Sequence, residues 1–235
     1  MTTYVFIIRT LTNLHAGSGD AGGYGVVDKL VQRDPVNNLP TIHASGIKGA
    51  LREYFTEEQP IDSDPGRNKL KIAEIFGSDP KDRDEKNIQR GGYRFFDADL
   101  LVLPKPDHAA DKHFQLVHDA QNTAFVQNKL TTLGASGLSL TIPGSVAGKL
   151  AELAEELPVI ARNYLDNGIS KNLWYEEVAP RESVFVTCFQ APDAVLAEAL
   201  HDKVVQLGGN ATVGYGFCLF TQISPKPGTK NEKTS

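Results

Sequence analysis

Hydrophobic and polar positions alternate from Thr3 to Leu14, in a run rich in β-branched and aromatic residues, and predict a strand. A glycine-rich loop follows to about Gly25. Ile47, Leu51 and Tyr54 or Phe55 then recur at helical spacing, predicting a helix from Gly46 to about Thr56 with Ser45 as its N-cap. Ile61 to Gly91 is polar, charged and broken by prolines and glycines, with a short apolar turn at Ile72–Phe76. Tyr93 to Leu103 predicts a second strand, stopped by Pro104 and Pro106. His108 to Thr141 shows no period, and Ser145 is a candidate cap for a helix through Leu157. Val159 to Val178 predicts a hairpin turning at Asp166-Asn167-Gly168. Val184 to Phe189 predicts a strand. Pro192 and Asp193 open an amphipathic helix to Leu207, closed by Gly208-Gly209, and Thr212 to Ile223 predicts a last strand.

Without the insertions the order is strand, helix, strand, strand, helix, strand. The predicted fold class is therefore α+β, with a ferredoxin-like core of the kind RNA-recognition modules use and one sheet face left open. The predicted organisation is one domain over residues 1–223, with insertions at about 57–92 and 104–157, the hairpin at about 158–178, and a disordered tail over 224–235.

The 235 residues, 40% hydrophobic, have the composition of a soluble globular chain able to bury a full core. No apolar run approaches the ~20 residues of a membrane span, and Arg9 breaks the first one, so no signal peptide and no membrane partner are expected. Cys188 and Cys218 sit in apolar runs as expected buried thiols, suiting a reducing cytoplasm. A net charge of −5 argues against a generic DNA coater but permits a local basic groove.

Gly17-Ser18-Gly19-Asp20-Ala21-Gly22 matches the spacing of a dinucleotide fingerprint, but Tyr24-Gly25-Val26-Val27 is a poor helix opening, and no G-K-[ST] follows for a P-loop. The bare backbone there suits close approach of RNA. Lys48 and Arg52, four apart, share a helix face whose start at Ser45 and Gly46 favours a phosphate. Arg33 is a further cation nearby and a candidate RNA contact. His15 and Asp28 are candidates for general base and acid, with Asp28 alternatively holding Mg²⁺ or taking part in a salt bridge. Gly209 and Gly214 belong to a second glycine-rich segment, Gly208–Gly216, and Trp174 on the hairpin arm is a candidate base-stacking platform.

The segments LHAGSG, GYGVVDKLVQRD, LPTIHASGIKGALRE, IFGS, FFDADLLVLP, LWYEEVAPRESVF and QLGGNATVGYGFC, in this order, resemble the RAMP superfamily of CRISPR proteins. Within it, the chain is most similar to backbone subunits of type III effector complexes of the Cmr type, with the Csm type as the neighbouring alternative. The resemblance implies a modified RNA-recognition core whose hairpin, Ile160–Val178, is a protruding thumb. It implies copies of the chain stacked in a helical filament on CRISPR RNA with other type III subunits, and cutting of guide-paired target single-stranded RNA at regular intervals. It implies that Asp28 is required for that cutting with a divalent metal, Mg²⁺ or Mn²⁺, and that Lys48 contacts the guide. A non-catalytic structural subunit and a guide-processing endoribonuclease of the same superfamily are the alternative functions.

Overall fold

The computed structural model describes residues 1–19, 27–78, 89–109 and 111–226. Most of the first glycine loop, residues 79–88 of the first insertion and all but the start of the tail lie outside them. In chain order the elements begin with β1 (Thr2–Thr10), β2 (Thr41–Ile42), α1 (Ala44–Glu53), a π-helical turn over Tyr54–Glu58, and α2 (Pro65–Phe76). Next come β3 (Arg94–Phe95), β4 (Ala98–Pro106), β5 (Phe114–His118), α3 (Ala120–Thr132), β6 (Ser145–Ala147) and α4 (Leu150–Glu155). The chain closes with β7 (Val159–Asp166), β8 (Ile169–Glu177), β9 (Val184–Ala191), α5 (Val195–Leu200), β10 (Lys203–Gln206) and β11 (Phe217–Ser224).

The main sheet runs β10-β11-β1-β9-β4-β5-β6, with β2 paired to β4 and β3 to β9. Its pairs are antiparallel except β5–β6. The architecture is mixed α+β on a mainly antiparallel sheet. β7 and β8 form a separate two-stranded ribbon.

Both faces of the sheet are covered, which corrects the expectation of an open one. Tyr4, Phe6, Ile8, Phe185 and Phe189 point into the larger core with Ile47 and Leu51 of α1 and Leu196 and Leu200 of α5. Val5, Val186 and Cys188 point the other way, under Val126 and Leu130 of α3. The cause is visible in Val5-Phe6-Ile7-Ile8: consecutive apolar residues in a strand place apolar surface on both faces, and each face must be covered. Burial pushes the Cys188 and Cys218 thiols up to about 12, so neither is a ready thiolate.

Several local expectations are corrected. α1 starts at Ala44 with His43 in the cap position and no side-chain cap from Ser45. Asp97 supplies that function from a distance, its Oδ1 accepting from the Ala44 N–H at 2.6 Å. The apolar turn at Ile72–Phe76 is the end of the 12-residue α2, started by Asp64, whose carboxylate accepts from the Arg67 N–H. The stretch His108–Thr141, expected to be irregular, contains β5 and α3. Asp119 caps α3, which buries only Val126 and Leu130 and so has too narrow an apolar stripe to read as periodic. Ser145 lies in a strand, not at a helix cap. The helix expected to reach Leu207 ends at Leu200, because Lys203–Gln206 pairs with Phe217–Phe220. The last strand begins at Phe217, after a 3₁₀ turn at Ala211–Val213.

Candidate functional site

The ribbon of β7 and β8 folds back at Asn167 (φ 50°) and Gly168 (φ 79°), both with positive φ as a type I′ turn requires. Tyr164, Leu165, Ile169 and Leu173 are exposed along it. At its root, Glu176 and Glu177 are buried carboxylates, and three other segments are fastened to them.

The first is the segment after the glycine loop. Asp28 and Lys29 both donate their N–H to the Tyr175 carbonyl, and Asp28 Oδ2 accepts from the Tyr175 N–H at 2.7 Å. Asp28 is exposed, and among the described residues nothing bonds to its Oδ1. Lys29 Nζ donates to Glu176 Oε1 at 3.0 Å and lies 5.3 Å from the Trp174 ring centroid. Val31 N–H donates to Glu177 Oε2, and Arg33 Nη2 to Glu177 Oε1 at 2.5 Å.

The second is the end of β1. His15 is buried, and its Nδ1 donates to the Glu177 carbonyl at 2.7 Å. A Cβ on Gly17 would sit 2.9 Å from His15 Nε2, so backbone covers the other ring nitrogen. The anchors of His15 and Asp28, Glu177 and Tyr175, are two residues apart on β8, about 7 Å along the strand.

The third is the second glycine-rich segment. Gly209 N–H donates to the His15 carbonyl, and Asn210 Nδ2 donates to Glu176 Oε2 at 2.7 Å. Arg162 completes the cluster, with Nε 3.3 Å from Glu176 Oε2 and its guanidinium 4.3 Å from the Tyr215 ring centroid. Burial alone would raise the Glu176 pKa. Hydrogen bonds from Trp174, Lys29 and Asn210, with the Lys29 charge, outweigh burial and hold it down to about 2.

Gly214 is exposed at φ 80° with open space where a Cβ would be. Gly216 (φ 78°) is buried, and a Cβ there would overlap the Leu207 carbonyl oxygen. Gly214→Ala should therefore cost about 1 kcal/mol, the price of a left-handed alanine. Gly216→Ala should cost about 3 kcal/mol or more, because backbone must move as well. Urea denaturation of the two variants checks the ordering; equal midpoints would contradict it.

Of the other expected contacts, Ser45 and Gly46 are exposed at the start of α1, and Lys48 is half-buried on its side. The Ala44 N–H is already taken by Asp97 and the Gly46 N–H by the His43 carbonyl. Arg52 donates to the Ser78 carbonyl at 3.4 Å. Arg33 is engaged within the protein by Glu177, Asn38 and Ala154. Trp174 is half-buried, its Nε1 donating to Glu176 Oε1. α1 joins the junction through Gln32, whose Nε2 donates to the Gly17 carbonyl and whose Oε1 accepts from the His43 N–H.

Gln32, Glu176, Arg162 and Asn210 escaped sequence reasoning. No local signal gave the Arg162–Glu176 pair: the turn at Asn167-Gly168 by itself would set Arg162 opposite Leu173, and only the register shift between Tyr164 and Leu165 brings it opposite Trp174 and diagonal to Glu176.

The model of the RAMP superfamily matches residues 7–219, nearly the whole described chain. The chain belongs to the RAMP superfamily. Among curated relatives of the superfamily, the Cmr endoribonuclease Cmr4 of Pyrococcus furiosus is 26% identical, aligned over 94% of this chain and 96% of the relative. The fold is shared with a subunit of a type III-B Cmr-beta complex solved with cognate target RNA, at a TM-score of 0.68, 20% identity and coverage of 94% and 97% of the two chains. It is shared also with oligomeric Cmr4 of Pyrococcus furiosus, at a TM-score of 0.63, 19% identity and coverage of 95% and 98%. No helix among the described residues is long and apolar enough to cross a membrane.

Proposed function

We propose that this RAMP protein is a guide-RNA-binding filament subunit of a type III CRISPR complex that cuts guide-paired target RNA at regular intervals. One observation carries the reading: the exposed Asp28 carboxylate is fastened to the root of a projecting ribbon. The reactive group and the element that meets RNA are thereby one unit. The central strand order β11-β1-β9-β4 supports a ferredoxin-like core, with the β7–β8 ribbon as its thumb. Its relatives support the rest: an endoribonuclease, an oligomer, and a complex bound to target RNA. The partners are CRISPR RNA, target RNA, further copies of the chain and other subunits of the complex, and the compartment is the cytoplasm.

Cleavage by the RNA's own 2′-hydroxyl needs the 2′-oxygen, the phosphorus and the departing 5′-oxygen in line. The ribbon, pressed between bases, bends the strand toward that geometry. Asp28, held at Oδ2, presents Oδ1 as an acceptor, and the chain's cations near the RNA steady the charge on phosphorus. A divalent ion would supply charge neutralisation at the phosphate. Among the described residues no group of three metal-ligating side chains occurs. A single carboxylate fits Mg²⁺ all the same, since that ion is commonly held by one or two carboxylates with phosphate oxygens and water. Asp28 Oδ1 is the residue atom that would hold it, as the alternative to taking the proton itself. Ser45, Gly46, Lys48 and Arg52 provide a guide-backbone surface linked to the junction by Gln32.

The test is a complex reconstituted with a defined guide. It should cut a paired RNA into an evenly spaced ladder, stop when the divalent ion is chelated, and resume with Mg²⁺ or Mn²⁺. Cutting of unpaired RNA, or an unchanged ladder in chelator, would contradict the reading.

A further inference from the structure

Glu176 is the one carboxylate among the described residues that gathers four side-chain donors from three parts of the chain. It joins Lys29, next to Asp28, to Arg162 and Trp174 on the two arms of the ribbon and to Asn210 in the second glycine-rich segment. It is 1% exposed. We propose that Glu176 is a positioning residue for cleavage: acting through Lys29 and the Tyr175 backbone, it couples the place of the ribbon to the place of the Asp28 carboxylate. This rests on the reading of Asp28 given above.

The geometry leaves little slack. Tyr175 is bonded to Asp28 through both its N–H and its carbonyl, and Glu176 follows it directly. Any rotation of the ribbon about its root must therefore move Tyr175 and Asp28 together. The Lys29–Glu176 ion pair holds the Asp28 segment against the ribbon root, and the Arg162–Glu176 pair ties the two arms together diagonally. One carboxylate, through both of its oxygens, thus holds the segment, the ribbon and the second glycine-rich segment together. A buried carboxylate that serves folding alone has no need to choose the lysine adjoining Asp28. Among the described residues Arg162 Nη2 is buried without a partner, a cost the arrangement accepts at this level of the ribbon.

Glu176→Gln keeps the volume but removes the charge and places an amide N–H₂ against donors. Single-turnover cleavage by the assembled complex, at saturating target, separates rate from active fraction. We expect the rate constant to fall about 10- to 100-fold, as small misplacements of a reacting group do. Guide content of the complex and the affinity for target should be unchanged. A purely structural residue would lower the amplitude and leave the rate constant of the surviving complex at the wild-type value; that result overturns the proposal. If Glu176→Gln does not fold, Lys29→Met carries the test, because the Lys29 side chain is 53% exposed and its loss should not unfold the chain. A slower rate constant with an unaltered salt slope of target binding supports coupling. An unaltered rate constant overturns it, and so does a loss seen only together with a shallower salt slope, which marks Lys29 as a phosphate contact. Asp28→Ala run in parallel separates the two levels. If it cuts at the wild-type rate, the reading of Asp28 fails and the coupling with it. If it is inactive while Glu176→Gln is unimpaired, only the coupling fails.

Discussion

Asp28→Ala should abolish target-RNA cleavage, with a loss of about 10²- to 10⁴-fold, the range a positioned proton acceptor contributes. Guide binding and assembly should remain nearly intact. The only contact the Asp28 side chain makes among the described residues is the exposed bond to the Tyr175 N–H, whose loss should cost about 1 kcal/mol. The two Asp28 and Lys29 backbone bonds to the Tyr175 carbonyl survive the substitution. Asp28→Asn sharpens the result. Its amide oxygen can still accept from the Tyr175 N–H, so the segment stays docked while the negative charge disappears. Both variants should be inactive. Cutting by Asp28→Asn at the wild-type rate would show that Asp28 acts by docking the segment and not by its charge.

Replacing Leu165–Lys171 with a two-residue Asn-Gly turn, which keeps Tyr164 opposite Asn172, should leave a folded, guide-binding subunit whose product ladder is blurred or lost. The change takes two residues from β7 and three from β8, about 7 Å of reach. It removes the exposed Ile169 and leaves the root untouched, where Arg162, Trp174, Glu176 and Glu177 make their contacts. An isolated ribbon has little stability of its own, so folding depends on that root and not on the tip. If the tip sets where the target backbone bends, its loss should change the positions of cutting more than it weakens guide binding. Gel analysis of the products decides the matter: a wild-type ladder with unchanged spacing and rate would show that this ribbon is not the spacer.

Where a signal is local, the chain states it directly. Asp166-Asn167-Gly168 closes the ribbon because two consecutive residues must take positive φ, and the ribbon lies where the turn predicts it. Ile47 and Leu51 of α1 are buried as their spacing requires. The order of the main strands and helices, and the resemblance to the RAMP superfamily, were likewise legible in segments read one at a time. Tertiary structure decided what depends on partners distant in sequence. Lys203–Gln206 is a strand only because β11 offers it an edge, against a helical pattern of its own. Asp97, 53 residues from Ala44, takes the cap expected of Ser45. The junction shows the same division most sharply. Glu176 and Glu177 read as two acids on a hairpin arm, and nothing local says that Lys29, 147 residues earlier, and Asn210, 34 later, would neutralise one of them. A charge can be buried only where opposite charge and donors are assembled around it, and that assembly is a property of the folded chain: the sequence could nominate Asp28, but only the fold joined it to the ribbon.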